Sequence, residues 1–341
     1  MRYAEFIRRG DTVGFAAPAF GCATEPYRTA FKNSLVKWQD MGFEVKLGPN
    51  CYADKGIGIS NTPENCAGEL MQMMQDEEAA CVISCGGGEL MCEIIPYLDF
   101  EQLAKAPAKW FMGYSDNTNM TFLLTTLADT AAVYGPCAAA FGMEPWHPAI
   151  DDACQLLQGK KLTMHNYDKW ERESLKDEDH PLEPYHVTED FCLHSKNAEA
   201  GMRFGGRLLG GCLDCLSNLV GTRYDKVKEF VEKYREDGIL WFLEACELNT
   251  MDIRRTLWNL REAGWFEGAS GFLVGRPMLF DEPLMGLDQY EAVTGILGEL
   301  GVPILMDLDI GHTAPMMPLI SGAYATVYAG ENEITLEMER R

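Results

Sequence analysis

Short apolar runs alternate with longer segments of helical periodicity through the first half of the chain. Apolar runs of this length predict buried strands, and apolar residues at every third or fourth position predict helices with one buried face. The predicted strands are 12–18, 43–48, 79–85, 109–114 and 131–136, and the predicted helices are 25–42, 62–76 and 116–130. Strands that alternate with helices of about ten or more residues are typical of a parallel, doubly wound sheet. We therefore predict an α/β fold here.

The pattern changes in the second half. Positions 144–200 form a polar stretch with KWERESLKDEDHPLEP at its centre, which predicts an exposed crossover. Further strands are predicted at 238–245, 271–277, 302–307, 324–330 and 333–339, and helices at 210–221 and 251–264. A chain of 341 residues is long enough for two domains. We predict an α/β domain at 1–150, a crossover linker with a substrate loop at 151–185, and a second domain at 186–341.

Composition and charge narrow the range of functions. Apolar residues make up 47% of the chain, so a full core is expected. The net charge of −23 repels the phosphate backbone of nucleic acids. The chain contains no run of about 18 apolar residues, the length that spans a membrane, and its charged start MRYAEFIRRGDTV is unlike a signal peptide. We therefore expect a cytoplasmic protein that binds neither nucleic acid nor membrane.

The 12 cysteines are scattered along the chain. Cys212 and Cys215 form a single C-x-x-C, but no second pair and no nearby histidine completes a zinc-binding set. In a reducing compartment, cysteines are mostly buried as small apolar residues. We therefore expect no metal and no cofactor.

The segment FMGYSDNT (111–118) places Ser115 between a predicted strand and a predicted helix. Such turns lie at the carboxyl edge of a parallel sheet, where nucleophiles and ligands are held. Serine is also a common helix cap, so the segment alone is compatible with a structural role. Asn117 takes the place of the second glycine in the G-x-S-x-G motif, which disfavours the α/β-hydrolases.

Two further residues supply chemistry that could activate Ser115. Glu244 ends the apolar run GILWFLE, and His312 lies in the loop that follows VPILMD. Taken separately, a salt bridge from Glu244 to Arg254 or Arg255 and a loop histidine bonded to backbone would explain them. Together with Ser115 they provide a nucleophile, a base that takes the serine proton, and a carboxylate that orients the imidazole.

An oxyanion hole would complete a hydrolase of this kind, and backbone N–H groups are its usual donors. One donor is the amide of Asp116, and the second is the amide of Gly87 or Gly88 in the glycine run at 86–88. A structural turn and a phosphate-binding loop are the alternatives for this run. No P-loop or dinucleotide-binding motif is present.

Several longer segments match a known family in order and spacing. They are GDTVGFAAPA (10–19), GGELMCEIIPYLDF (87–100), FMGYSDNT (111–118), YGP (134–136), GGCLDCLSNLVGT (210–222), ILWFLEACE (239–247), DIRRTLWNLREAG (252–264) and GHTAPMMPLISG (311–322). On these motifs the chain resembles the LD-carboxypeptidase family of serine peptidases over nearly its whole length.

The resemblance implies a flavodoxin-like or Rossmann-like amino-terminal domain and a smaller β-rich carboxy-terminal domain. It implies that Ser115 is the nucleophile and that Glu244 and His312 complete a catalytic triad. Gly88 and Asp116 correspond to the oxyanion site. The expected partner is a small-molecule or peptide substrate, and the expected assembly is a homodimer.

Two departures from the usual family pattern bear on the substrate. Cys85 and Gly86 stand where many members have an arginine before the glycine pair, and the crossover contains Trp170 followed by Glu171. Both features are similar to the branch that gives self-immunity to microcin C. Members of that branch cleave an amide-type bond between an amino acid or peptide and a nucleotide phosphoramidate or sulfamoyl group, and their crossover tryptophan stacks on adenine.

Two other departures concern activity. Ala245 follows the triad glutamate where the family usually has aspartate, and Cys212 stands where asparagine is common. Three functions remain open at this point. The first is a hydrolase of the microcin-immunity type, the second is a murein tetrapeptide LD-carboxypeptidase that releases a terminal D-amino acid, and the third is a ligand-binding protein without catalysis.

Overall fold

The computed structural model describes residues 1–341 and divides the chain into two compact units. The first unit comprises Met1–Lys161 and Glu173–His186, and the second comprises Leu162–Arg172 and Val187–Arg341. Each unit therefore contains two separate segments of the chain.

The first unit is built on a parallel sheet. Its strands are β1 (Thr12–Ala16), β2 (Glu44–Leu47), β3 (Ala79–Ser84), β4 (Trp110–Gly113) and β5 (Ala132–Tyr134), and its helices are α1 (Tyr27–Asp40), α2 (Pro63–Gln75), α3 (Phe100–Lys105), α4 (Thr118–Ala128) and α5 (Pro148–Leu157). The strands lie in the order β5-β4-β3-β1-β2, and every pair is parallel. This arrangement confirms the predicted α/β fold of the amino-terminal region.

Two local sequence signals explain where helix α2 begins. The hydroxyl of Thr62 accepts a hydrogen bond from the N–H of Asn65, and Pro63 occupies the first helical position of α2. Proline is favoured there because its missing N–H would have no partner inside the helix. Strand β4 and helix α4 are buried along nearly their whole lengths, which is typical of the central elements of a parallel sheet.

The second unit is rich in β-structure. Its strands are β6 (Thr163–His165), β7 (Lys169–Glu171), β8 (Val187–Asp190), β9 (His194–Lys196), β10 (Met202–Cys212), β11 (Ile239–Glu244), β12 (Ala269–Gly275), β13 (Ile304–Leu308), β14 (Leu319–Ser321), β15 (Tyr324–Ala329) and β16 (Ile334–Glu339). The helices are α6 (Leu213–Leu219), α7 (Val227–Lys233), α8 (Thr250–Glu262) and α9 (Gln289–Leu297). The main sheet has the order β6-β16-β15-β10-β11-β12-β13-β9, and β7 pairs with β8 separately.

Strands β10 to β13 run parallel, whereas the strands at both edges of this sheet run antiparallel to their neighbours. The carboxyl ends of β10, β11, β12 and β13 therefore lie along one edge of the sheet. The predicted β-rich character of the carboxy-terminal region is confirmed.

One predicted helix begins later than expected. The sequence pattern predicts a helix at 210–221, but β10 continues to Cys212 and α6 spans only Leu213–Leu219. Glycines at 205, 206, 210 and 211 interrupt the apolar pattern of β10 and conceal a strand that is buried from Gly206 onward. In addition, the polar stretch at 144–200 contains α5 and four short strands. No helix of the protein is both long enough and apolar enough to cross a membrane.

Candidate active site

Ser115 begins a single turn of 3₁₀-helix, Ser115–Asn117, between β4 and α4 in the first unit. Its φ angle is 63°, which is unusual for a residue other than glycine. Such a conformation costs about 1–3 kcal/mol and persists only where the surroundings hold it, most often at functional sites. Asn117, not Ser115, occupies the N-cap position of α4, so Ser115 is not the cap of that helix.

Asn117 holds the glycine run at 86–88 next to this turn by hydrogen bonding. Its side-chain amide donates to the carbonyl oxygens of Gly86, at 2.8 Å, and of Tyr114, at 3.0 Å. A Cβ atom built on Gly87 would lie only 3.1 Å from both Cβ and Oγ of Ser115. Glycine at this position lets the backbone pass directly against the serine hydroxyl.

Asp116 makes a second connection between the same two segments. Its buried carboxylate accepts hydrogen bonds from the backbone N–H of Met91, at 2.8 Å, and from the side chain of Asn119, at 3.0 Å. A Cβ atom on Gly88 would lie 2.9 Å from Oδ2 of Asp116. The structure therefore holds the two predicted oxyanion residues next to each other.

Glu244 and His312 meet in the second unit. Glu244 is the last residue of β11 and is 1% exposed, and His312 lies in the loop after β13. The Nδ1 atom of His312 is 2.8 Å from Oε2 of Glu244. The two arginines proposed as alternative partners bond elsewhere: Arg254 donates to the carbonyl of Glu291, and Arg255 pairs with Asp252.

Gly311 allows this loop to approach the carboxylate. Its φ angle is +99°, and a Cβ atom there would lie 2.5 Å from Oε2 of Glu244. Any other residue would be strained and would collide with the group that holds His312. The pairing of the imidazole with the carboxylate thus depends on this glycine.

Burial and the neighbouring groups have opposite effects on the pKa of the His312 imidazole. Burial by itself lowers the pKa of the imidazole, but the Glu244 carboxylate and the Cys246 thiol raise it, and the net pKa lies well above 6.5. When Nδ1 donates its proton to Glu244, Nε2 is the nitrogen that can exchange a proton with a substrate or nucleophile. The pair is therefore suited to general base catalysis.

Cys212 lies beside this pair, which the sequence did not indicate. It is the last residue of β10 and is directly opposite Glu244 in the strand register. Its Sγ atom, a carboxylate oxygen of Glu244 and a ring nitrogen of His312 all lie within 4.8 Å of one another. The expectation that no histidine lies near Cys212 is wrong, because folding brings together residues from three distant segments.

Asp214 organises the surroundings of Cys212. Its Oδ2 atom is 3.3 Å from Sγ of Cys212, and its carboxylate also accepts from the backbone N–H groups of Cys246 and Glu247. A hydrogen bond to Cys215, burial and the negative charge of Glu244 raise the pKa of the Cys212 thiol well above 9. The thiol is therefore protonated at neutral pH in the absence of a cation.

Trp170 and Glu171 lie on β7 in the second unit. The guanidinium carbon of Arg276 lies 4.4 Å from the centre of the Trp170 ring, and the ring of Phe280 meets the indole edge-on at 4.8 Å. The N–H of Glu171 donates to the carbonyl of Ala314 at 2.7 Å. Strand β7 is thereby joined to the loop that carries His312.

Arg276 and Asp309 are buried charged residues that sequence reasoning missed. Arg276 is 3% exposed, and its guanidinium lies 3.6 Å from the carboxylate of Asp309. Asp309 also accepts from the N–H of Tyr167 at 2.8 Å, and burial raises its pKa to about 7. Both residues follow apolar strands, which is the same signal that drew attention to Glu244.

Two family models match the chain. The model of the LD-carboxypeptidase N-terminal domain matches residues 13–135, and that of the LD-carboxypeptidase C-terminal domain matches residues 205–327.

Curated relatives match nearly the whole chain. A Vibrio cholerae protein named as a carboxypeptidase is 27% identical, with 99% of this chain and 98% of the relative covered. The Microcin C7 self-immunity protein MccF of Escherichia coli is 25% identical, with coverage of 96% and 93%. A Bacillus subtilis protein named as a murein peptide carboxypeptidase is 27% identical, with coverage of 97% and 93%.

Solved structures show the same fold. MccF in complex with aspartyl sulfamoyl adenosine superposes with a TM-score of 0.80 at 23% identity, covering 99% of this chain and 98% of the other. An MccF-like protein from Streptococcus pneumoniae in complex with AMP gives 0.78 at 23% identity, with coverage of 97% and 99%.

These matches define the chain as a hydrolase of the serine peptidase class. It belongs to the LD-carboxypeptidase family. The alternative of a ligand-binding protein without catalysis is therefore not retained.

Proposed function

We propose that the protein hydrolyses an amide-type bond through Ser115, His312 and Glu244, and that its substrate joins an aminoacyl or peptidyl group to a nucleotide-like group. The observation that carries the proposal is the 2.8 Å hydrogen bond between His312 and a buried carboxylate. The positive φ angle of Ser115 supports it, because nucleophiles at strand-to-helix turns are held in strained conformations.

In the proposed mechanism, the neutral imidazole of His312 takes the proton of Ser115 as the serine oxygen attacks the carbonyl carbon. Glu244 holds the imidazole in the required tautomer and stabilises the imidazolium that forms. His312 then gives the proton to the leaving nitrogen, which departs and leaves an acyl-enzyme. Water activated by the same imidazole hydrolyses this ester and restores Ser115.

The negative oxygen of the tetrahedral intermediate needs donors that are already in place. We assign this role to the backbone N–H groups of Gly88 and Asp116. The hydrogen bonds of Asn117 to Gly86 and of Asp116 to Met91 support the assignment, because they fix the glycine run beside the serine turn. The close approach of Gly87 to Ser115 makes Gly87 a proposed substrate contact.

Trp170 favours a nucleotide-containing substrate. The indole of Trp170 is only half-buried, and its exposed part is the proposed platform for a purine ring, while Arg276 and Phe280 hold the side chain in place. MccF and the Streptococcus pneumoniae relative were solved with adenosine-containing ligands, which supports a similar ligand here. Glu171, whose backbone is tied to the His312 loop, is a second proposed substrate contact.

A murein tetrapeptide is the second candidate substrate. It is favoured by the 27% identity to the Bacillus subtilis protein named as a murein peptide carboxypeptidase. Such a substrate has no purine, so this candidate gives Trp170 only the structural role of fastening β7 through Arg276 and Phe280.

A direct comparison of substrates tests the proposal. The purified protein is incubated with aminoacyl-sulfamoyl-adenosine and, separately, with murein tetrapeptide, and products are measured by mass spectrometry. We expect release of the amino acid from the first substrate by the wild type and not by Ser115→Ala. Release of a terminal D-alanine from the tetrapeptide alone would instead establish the second candidate.

We also propose that the segment 1–150 acts as the nucleophile domain, 151–185 as the crossover with the substrate loop, and 186–341 as the domain that supplies Glu244 and His312. The active form is expected to be a homodimer that needs no cofactor. Analytical ultracentrifugation of the active enzyme checks the assembly.

A further inference from the structure

The cluster of Cys212, Glu244 and His312 presents three different metal-binding groups at one point of the second unit. We propose that these three residues form a zinc-binding site and that a bound zinc ion inhibits the enzyme. The inhibitory effect rests on the proposed function of His312 and Glu244, whereas the binding of zinc does not.

The ligand types and their spacing suit zinc. Thiolate, imidazole and carboxylate are its usual ligands, at about 2.0–2.3 Å from the ion, which places ligand atoms of a tetrahedral site about 3–4 Å apart. The three atoms here lie within 4.8 Å of one another. Small side-chain rotations would bring them to bonding distance, and water would complete the coordination.

The strand architecture holds two of the ligands in position. Cys212 and Glu244 end neighbouring parallel strands and are paired in register, so their backbones are fixed by the sheet. The loop of His312 is anchored close to Glu244 because Gly311 permits the approach. A site on such a framework loses little conformational entropy when it binds a metal.

Charge also favours a divalent cation here. The carboxylate of Asp214 lies 3.3 Å from Sγ of Cys212, and a carboxylate oxygen of Glu244 lies within 4.8 Å of the same thiol. Asp214 is itself held by the N–H groups of Cys246 and Glu247, so it can act as an outer partner of the thiolate. Two anionic ligands balance the charge of one zinc ion, and the occupied inner site is neutral.

Zinc binding proceeds by exchange of protons for metal. The ion replaces the thiol proton of Cys212, which leaves to solvent. It also displaces the Nδ1 proton of His312 that is bonded to Glu244, and Nε2 takes up a proton in its place, so the imidazole remains neutral and one proton is released overall. Bonds form from zinc to sulfur, nitrogen and oxygen without any change of oxidation state. His312 then lacks its orienting hydrogen bond and cannot serve as the base, so hydrolysis stops.

Cobalt(II) provides a readout that does not depend on activity. A thiolate bound to cobalt gives a charge-transfer absorption in the near ultraviolet. The titration uses Ser115→Ala, which removes turnover, combined with Cys192→Ser, which removes the exposed thiol. We expect one equivalent of cobalt to produce the band and zinc to displace it.

Two cysteine variants in the same background make a matched pair. Cys212→Ser should abolish the band and weaken zinc binding at least about tenfold to hundredfold, the loss seen when even an outer partner is removed. Cys215→Ser, which alters the other cysteine of the C-x-x-C, should keep both. Glu244→Gln removes a second proposed ligand and should also weaken zinc binding. Circular dichroism confirms that each variant is folded.

Inhibition by zinc is measured in a separate hydrolysis assay with variants that retain Ser115. Zinc should inhibit the wild type and Cys215→Ser, while Cys212→Ser hydrolyses substrate and resists zinc. Absence of the cobalt band in the parent and in Cys215→Ser, or its persistence in folded Cys212→Ser, overturns the metal site. If the band behaves as expected but no variant hydrolyses substrate, the proposed function fails and the metal site stands.

Discussion

The Nδ1 atom of His312 lies 2.8 Å from Oε2 of Glu244, and this contact raises the pKa of the imidazole well above 6.5 despite its burial. A base must be neutral to accept a proton, so kcat/KM should rise with pH through this raised pKa. We expect the midpoint of the rise to lie above about 6.5, the ordinary value for histidine. A pH profile of kcat/KM measures it.

The Glu244→Gln variant removes the negative charge of the side chain while keeping nearly the same size and shape. Without the negative charge the midpoint should move down, and the rate should fall by about 10⁴-fold because the imidazole loses its required tautomer. His165→Gln is the control, since His165 is exposed on the edge strand β6 and its ring bonds to the hydroxyl of Thr335. A midpoint that is the same in Glu244→Gln and the wild type would contradict the assignment.

Replacing Ser115 by alanine should remove turnover while the fold is retained. Loss of a triad nucleophile lowers kcat by several orders of magnitude. The alanine keeps the same backbone strain at φ 63°, so the melting temperature should change little. Stopped assays with the purified variant check this, and retention of more than about a tenth of the wild-type rate would show that Ser115 is not the nucleophile.

Gly311→Ala should abolish activity by displacing His312. The new Cβ would lie 2.5 Å from the Glu244 carboxylate, at a backbone φ of +99°. Gly301→Ala is a matched control, because Gly301 also has a positive φ, of +72°, but has open space around its Cβ position. Backbone strain should cost both variants about 1–2 kcal/mol of stability. Gly311→Ala should lose more stability because of the collision with Glu244, and it alone should lose hydrolysis.

Chelators should leave hydrolysis intact. The proposed mechanism assigns the base to an imidazole and the oxyanion donors to backbone amides, so it has no step that a metal performs. Dialysis against EDTA followed by an assay checks this expectation. Loss of activity that zinc restores would contradict the mechanism.

Trp170→Ala should discriminate between the two candidate substrates. Stacking of a base on an aromatic ring contributes about 1–3 kcal/mol, which is about a tenfold to hundredfold change in affinity. The KM for an adenylate-like substrate should rise by that factor, while cleavage of a murein peptide should be almost unchanged. Steady-state kinetics with both substrates measure the difference.

A second indole provides the control for this experiment. Trp258 lies on α8 with about half of its surface exposed, so Trp258→Ala should affect neither substrate. Equal losses on both substrates in Trp170→Ala, or a lower melting temperature without a selective change in KM, would assign Trp170 a structural role.

Strand ends were the informative feature of the sequence. Ser115, Glu244 and His312 each lie at or after the end of an apolar run. Because parallel strands bring their carboxyl ends to one edge of a sheet, this pattern predicts that Glu244 and His312, which lie at the end of β11 and in the loop after β13, are close to each other. The same reasoning would have drawn attention to Arg276 and Asp309. It could not reveal the strained φ angle of Ser115, because a non-glycine residue carries no local signal for that conformation.

The neighbourhood of Cys212 could not be predicted either. Its contact with Glu244 depends on the register between β10 and β11, and the glycines of β10 hid that strand from the hydrophobic pattern. Side-chain clamps such as Asn117 on Gly86 join segments that are far apart along the chain. A single sequence contains the residues of such contacts but not their pairing.

The chain crosses between its two units three times, and this limits how the gene can be divided into fragments that encode whole units. Residues 162–172 belong to the second unit and 173–186 return to the first, where the N–H of Glu144 bonds to the carbonyl of Leu182. A gene fragment that stops at Lys161 therefore omits part of the first unit, and one that begins at Val187 omits β6, the edge strand beside β16. Recombination that exchanges one whole unit between two relatives therefore requires three simultaneous crossovers, one at each boundary.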